Sequence, residues 1–181
     1  MKEKLAFGFA AALTAVSLHL VPSWQGAFTD PCHLALVFSA GTIVVLLVTR
    51  HLGRQGIAIE RRVLALFLAG MPLVYVASWL VTRGAGASNR WLWVEIAAFP
   101  LYASLAALGL TRSPWLLAAG IAAHGVAWDS WHYFTNTAYV PVWYAIGCFL
   151  VDVGLGLYIA TRIPAWQRAE APEFAKTLKI A

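Results

Sequence analysis

The chain has 181 residues, 61% of them hydrophobic and 12% charged, with a mean hydropathy of +0.71. Soluble domains carry about 25% charged and 45–50% apolar residues, so the composition excludes a soluble globular fold and points to an integral membrane protein. A net charge of +5 would hint at nucleic acid in a soluble chain. Here the basic residues lie between apolar runs, where they set topology and meet anionic headgroups, and no nucleic-acid partner is expected.

Cys32 and Cys148 are too few for a disulfide framework. No phosphate loop, dinucleotide fingerprint, zinc-finger spacing or low-complexity tract occurs.

Residues 1–4, MKEK, precede a first apolar run at 5–21, near the lower end of the roughly 17–25 residues a membrane helix needs. A charged start and an apolar core also describe a signal peptide. However, PSWQGAFTD follows with no small-x-small cleavage site, and His19 lies inside the run, so a retained helix is expected. The second run, 31–49, opens at Pro31, a favoured first helical residue. The loop RHLGRQGIAIERR leads to a third run at 63–82, with a bend expected at Pro72, and TRGAGASNR makes a Gly/Ala-rich turn. The fourth run, 91–111, has Glu95 near its start and a kink expected at Pro100. After Arg112-Ser113-Pro114 come a fifth run, 114–134, and a sixth, 140–161. The expected fold is an all-α polytopic bundle of six transmembrane helices over 1–166, with a cytoplasmic tail at 167–181 whose last residues are loosely ordered.

Six spans put both termini on one side. With that side cytoplasmic, every Lys and Arg falls on an inner segment except Arg83 and Arg90. The positive-inside rule therefore places both ends in the cytoplasm, and the expected setting is a bacterial cytoplasmic (inner) membrane. At 1.5 Å per residue, His33 and His132 lie near the outer rim. Glu95 and Asp129 are roughly 6–8 Å deeper, and His124 and Asp152 roughly 15–18 Å in, close to the midplane. The pattern reads as a polar shaft open to the outside, with inner halves free of ionisable residues.

The stretch from His124 to Asp152 is the centre of this pattern, with His124, Asp129, His132 and Asp152 in one helical hairpin. An ionisable side chain at the centre of a membrane helix costs about 2.5–3.5 kcal/mol, so such residues usually face a protein interior or a wet cavity. At about 100° per residue, Asp129 and His132 are separated by about 60°, but His124 and Asp129 by about 140°. His124 is therefore as well placed to pair with Asp152 across the hairpin as to join Asp129. Trp24, Trp79, Trp91, Trp93, Trp128, Trp131 and Trp143, with Tyr133, Tyr139 and Tyr144, gather at the outer interface, and Trp115 and Trp166 at the inner. That is an aromatic belt, in which Trp128 and Trp131 flank Asp129 and are placed to wall a site.

His124, Asp129, His132, Asp152 and Glu95 are the candidate catalytic residues. His124, Asp129, His132 and His33 are candidate ligands of a divalent metal, Zn or Fe, since three protein ligands and an open position make a catalytic centre. No HExxH motif is present, and the two histidines of the fifth run stand two turns apart. Without metal, a His–carboxylate pair still does acid–base chemistry. These residues favour a membrane-embedded enzyme acting on a lipid-like or small hydrophobic substrate. A small transporter or proton-linked permease is an alternative: runs 1–3 and 4–6 have opposite orientations, though without residue-level similarity between the halves. A non-catalytic accessory subunit, and a His124–Asp152 pair that only locks helices together, are further alternatives. The bilayer is the expected partner, and a homo-oligomer is compatible with the sequence.

The pattern HGxxWDxxHY…NxxxVPxWY…D over residues 124–152 resembles small uncharacterised bacterial multi-pass membrane proteins. Relatives of that kind often carry a second histidine where this chain has Tyr133. The resemblance covers the fifth run, the outer loop and the sixth run; it implies a bacterial inner-membrane setting and no particular activity.

Overall fold

The computed structural model describes residues 2–25, 29–82, 86, 88–135 and 137–177, with side chains to residue 169. The described elements are α1 (Lys2–His19), α2 (Pro31–Thr49), α3 (Gly53–Thr82), α4 (Asn89–Thr111), α5 (Trp115–Ala123), a π-helical turn (His124–Asp129), α6 (Ser130–Thr135) and α7 (Val142–Thr177). No strand occurs among the described residues. Asp30 starts α2 by accepting the backbone N–H groups of Cys32 (2.7 Å) and His33 (3.3 Å), with Pro31 at the first helical position. Ser88 caps α4 through the Arg90 N–H.

Four helices are long and apolar enough to cross a membrane: α2, α3, α4 and Val142–Ala169 of α7. α1 has 18 residues but opens with Lys2, Glu3 and Lys4. α5, the π-turn and α6 follow one another without a break, as nine, six and six residues. Large apolar side chains such as Phe38, Val44, Leu66, Leu73 and Leu101 are exposed along α2, α3 and α4. That exterior is compatible with a membrane protein, in which hydrocarbon takes the place of water around the bundle.

α7 is the central helix: 61% of its apolar stretch is buried, against 28–39% for the other three. It packs on α1, α2, α5, the π-turn and α6. Small residues let the backbones close in, as membrane helix interfaces favour. A Cβ on Gly154 would come within 3.0 Å of Ala10 Cα, and one on Gly156 within 2.8 Å of Ala122 Cβ.

The largest departure from the sequence reading is at the α2–α3 connection. The expected long loop is only Arg50–Leu52, and α3 starts at Gly53, ten residues before the apolar run. Gly53 adopts φ 56, and a Cβ on Gly56 would fall 1.8 Å from Thr49 O, so glycine is what lets the chain turn back this tightly. Glu60 thereby moves from a loop into the bundle, where it is 0% exposed. It accepts from Tyr158 Oη (2.5 Å), Arg162 Nε and Nη2 (both 2.9 Å) and Trp166 Nε1 (3.1 Å). Arg162 Nη1 also reaches Glu3 (2.8 Å), tying α1, α3 and α7 together. This end of the bundle therefore carries buried charge, contrary to expectation, and Trp166 is core rather than belt. The helix of the sixth run likewise continues past 161 to Thr177.

Candidate functional site

At the other end, the chain bends its own helical rule to assemble the site. Between α5 and α6 the hydrogen bonding changes to i→i+5, and the Ser130 N–H reaches Gly125 O. Residues five apart then stack on one face, whereas a regular helix would set His124 and Asp129 about 140° apart. Gly125 completes the arrangement. A Cβ there would sit 2.8 Å from Asp152 Cβ and 3.2 Å from Phe149 O, so only glycine admits α7 this closely.

His124 Nδ1 lies 2.8 Å from Asp152 Oδ2 and 3.6 Å from Asp129 Oδ1. All three residues are at most 2% exposed. One donor atom from each falls within 4.8 Å of the others. Ligand bonds of 2.0–2.2 Å in a tetrahedral zinc site separate donors by about 3.3–3.6 Å, so this group could hold a small divalent cation after modest side-chain adjustment. Asp129 Oδ1 also accepts the Tyr75 hydroxyl. Two buried polar atoms of the cluster, His124 Nε2 and Asp129 Oδ2, have no hydrogen-bond partner, an arrangement that native proteins rarely tolerate without a ligand, ion or water.

A second polar group lies beside the first. Glu95 is 0% exposed, and its carboxylate accepts Tyr139 Oη (2.8 Å) and Trp128 Nε1 (3.1 Å). His132 Nε2 is 3.0 Å from Glu95 Oε1, at ion-pair distance but out of line for a hydrogen bond, while its Nδ1 meets Thr137 Oγ1 at 2.8 Å. Tyr75 joins the two groups. Its ring stacks on His132 (4.3 Å between centroids, 4° between planes), and its hydroxyl reaches Asp129. Tyr102 meets the His124 ring edge-on at 5.0 Å.

The five candidate catalytic residues thus form one neighbourhood with a division of labour. His124, Asp129 and Asp152 cluster; His132 and Glu95 pair separately. Of the four candidate metal ligands, His124 and Asp129 come together, whereas His132 is engaged by Glu95 and Thr137. His33 is elsewhere, between Ser23 O (2.7 Å) and Asp30 (3.4 Å) and against the rings of Trp24 and Trp143. Asp152 takes the place in the cluster that the sequence reading gave to a second histidine. Trp128, read mainly as part of the belt, packs on Tyr102 and His132 and donates to Glu95. Tyr139 and Tyr144, expected in the interfacial belt, are 1% and 2% exposed and belong to the core. Asn136 and the turn residues 83–85 and 87 lie outside the described residues.

Tyr75, Tyr102 and Thr137 were not legible as site residues. A tyrosine in mid-run does carry a signal, because its hydroxyl needs a partner when buried.

A cavity of about 390 Å³ between α2 and α3 ends on His124 and Asp152, with Tyr144 and Cys148 beside them. On the far side of the cluster, Leu68, Leu117, Ile121 and Leu155, all 0% exposed, form an apolar layer before the Glu60–Arg162 pair. No protein-family model matches the chain, and neither a curated protein nor a solved structure is similar to it.

Proposed function

We propose that this chain is a six-span enzyme of the bacterial cytoplasmic membrane that holds a divalent metal, zinc or ferrous iron, at His124, Asp129 and Asp152. It acts on a hydrophobic molecule that reaches the metal from the bilayer. The observation that carries the reading is the three-residue cluster itself: one imidazole and two carboxylates, buried, with donor atoms within 4.8 Å. Charge balance supports it. Were both carboxylates ionised in this low-dielectric interior, one imidazolium could not neutralise them, and a divalent cation would match them. Borderline nitrogen and hard oxygen donors suit zinc or ferrous iron, and three protein ligands leave positions open for substrate or water.

The hydrogen bond from His124 Nδ1 to Asp152 (2.8 Å) with Nε2 left without a partner supports a second reading, a metal-free acid–base pair with Asp152 orienting the ring. A permease draws less support, because the buried apolar layer at Leu68, Leu117, Ile121 and Leu155 separates the cluster from the far end of the bundle.

Metal analysis of detergent-purified protein separates the readings. Wild type is expected to retain about one equivalent, with three ligands as in catalytic centres. His124→Ala and Asp152→Asn are expected to lose it roughly tenfold or more, and Glu95→Gln to keep it. Wild-type protein free of metal under metal-replete growth would overturn the metal centre and leave the acid–base pair.

A further inference from the structure

The cavity that ends on the cluster has a composition of its own. Phe38 and Leu66, 72% and 73% exposed, form its rim on the outer surfaces of α2 and α3, so it opens through the side of the bundle. Its lining runs from Ala35 to Thr42 on α2 and from Val63 to Val74 on α3, the middle portion of each helix. The walls are apolar except for Ser39 and Thr42. Both hydroxyls are turned back on their own helix, donating to Ala35 O (2.8 Å) and Phe38 O (3.0 Å). Among the described residues no Lys or Arg lines it. The polar recognition is all at the floor, where Asp152, the Tyr144 hydroxyl and the Cys148 thiol stand beside His124, itself 2% exposed with Nε2 lacking a partner.

From this lateral apolar cavity with its single polar floor, we infer that the occupant is a neutral, mostly hydrocarbon molecule dissolved in the bilayer. It presents one neutral oxygen function, a hydroxyl, carbonyl or ester, to His124. The volume lies within the 300–1,000 Å³ of ordinary small-molecule sites. A charged headgroup is disfavoured on energetic grounds. It would have to enter at mid-helix, where a charge costs about 2.5–3.5 kcal/mol or more, past α2 and α3 walls whose described lining carries no charge, since Asp152 and the cluster lie only at the floor. This inference names the substrate class of the enzyme proposed above and rests on that reading for what becomes of the molecule, but binding can be tested by itself.

Gly70 lines the cavity, and a Cβ there meets nothing within 4 Å, so Gly70→Phe occupies open space. Leu66→Trp covers the rim from an exposed position and serves if the glycine variant folds poorly. The probe is a long-chain fatty alcohol bearing a photoreactive diazirine, and the comparison is phosphatidylcholine bearing the same group on an acyl chain, both in nanodiscs. Wild type is expected to be labelled by the alcohol on α2 and α3 cavity residues, and each variant roughly tenfold less, as filling a small-molecule site demands. Phosphatidylcholine labelling of those residues should be weak and equal in all three. Equal labelling of wild type and both variants by the alcohol would overturn the inference. So would phosphatidylcholine labelling that falls in parallel, since the cavity would then hold an ordinary lipid tail. Metal content is read on the same samples: labelling lost with metal retained supports the inference, and wild-type labelling without metal also supports it while counting against the metal centre alone.

Discussion

His124 and Glu60 are both buried in the bundle, yet their surroundings make opposite demands. Glu60 meets Arg162 through two parallel hydrogen bonds and has Tyr158 and Trp166 on its remaining positions. Charge and hydrogen bonds close on themselves, as in a structural staple. At His124 the account stays open, with two carboxylates against one ring and with Nε2 and Asp129 Oδ2 unmatched. A paired replacement tells them apart. Removing one member of a buried charge pair costs about 3–5 kcal/mol, whereas apolar replacement of both is often neutral. Arg162→Leu alone is therefore expected to lower thermal stability in detergent sharply, and Glu60→Leu/Arg162→Leu to recover most of it while keeping the metal. His124→Leu/Asp152→Leu should also fold well but lose metal and any phenotype the gene supports. A stable His124/Asp152 double variant that complements fully would make that pair structural as well.

Among the elements, the π-turn decides which residues share a face. Geometrically it is a helix with one residue more than an α-turn holds, so residues five apart stand where residues four apart normally stand. Deleting Val126, which is 58% exposed, should restore a regular α-helix with His124 and Asp129 still stacked. That variant is expected to keep near-wild-type stability and metal content. Deleting Leu117, within α5 and 0% exposed, has no extra residue to absorb it. It turns everything downstream by about 100° and should abolish metal binding. Equal loss in the two deletions would show that the π-turn does not supply the register. The same turn explains what the sequence could and could not give. The pairing of His124 with Asp152 was legible from similar depth on adjacent antiparallel helices. The approach of Asp129 was not, because periodicity arithmetic assumes an unbroken α-helix and put it about 140° away. Glu60 was misplaced for a related reason: hydropathy marks where a helix becomes apolar, not where it begins, and Gly53 and Gly56 let α3 begin ten residues early. Tyr139 was hidden among aromatic residues whose usual use is an interfacial belt, whereas Tyr75 lies in mid-run, where only its need for a hydroxyl partner marks it.

For the whole molecule, the question is how many of these helices cross the membrane. Four qualify on length and hydropathy alone. The other two have physical grounds of their own. The continuous segment from Trp115 to Thr135 is about 30 Å long at 1.5 Å per residue, which matches a hydrocarbon core. Its ionisable residues His124, Asp129 and His132 are all buried, while Trp115, Val126 and Phe134 face outward. α1, about 27 Å long, lies along α7 with its charges at one end, where Glu3 reaches Arg162. Reporter fusions in the connections discriminate between six crossings and four. With six, Ser113 and Ala138 stand on opposite faces, Ser113 cytoplasmic and Ala138 periplasmic. With four, the 115–135 segment does not cross, and the two fusions report the same side. The six-span arrangement also expects a fusion after Trp24 to read periplasmic and one after His51 cytoplasmic, following the distribution of Lys and Arg. A cytoplasmic signal after Ala138 together with one after Ser113 would remove the 115–135 crossing, and a cytoplasmic signal after Trp24 as well would leave only the four. The first of these results would also place the π-turn and its cluster in a segment that does not cross, and with them the floor of the cavity, so mid-bilayer entry of substrate would fail along with the topology.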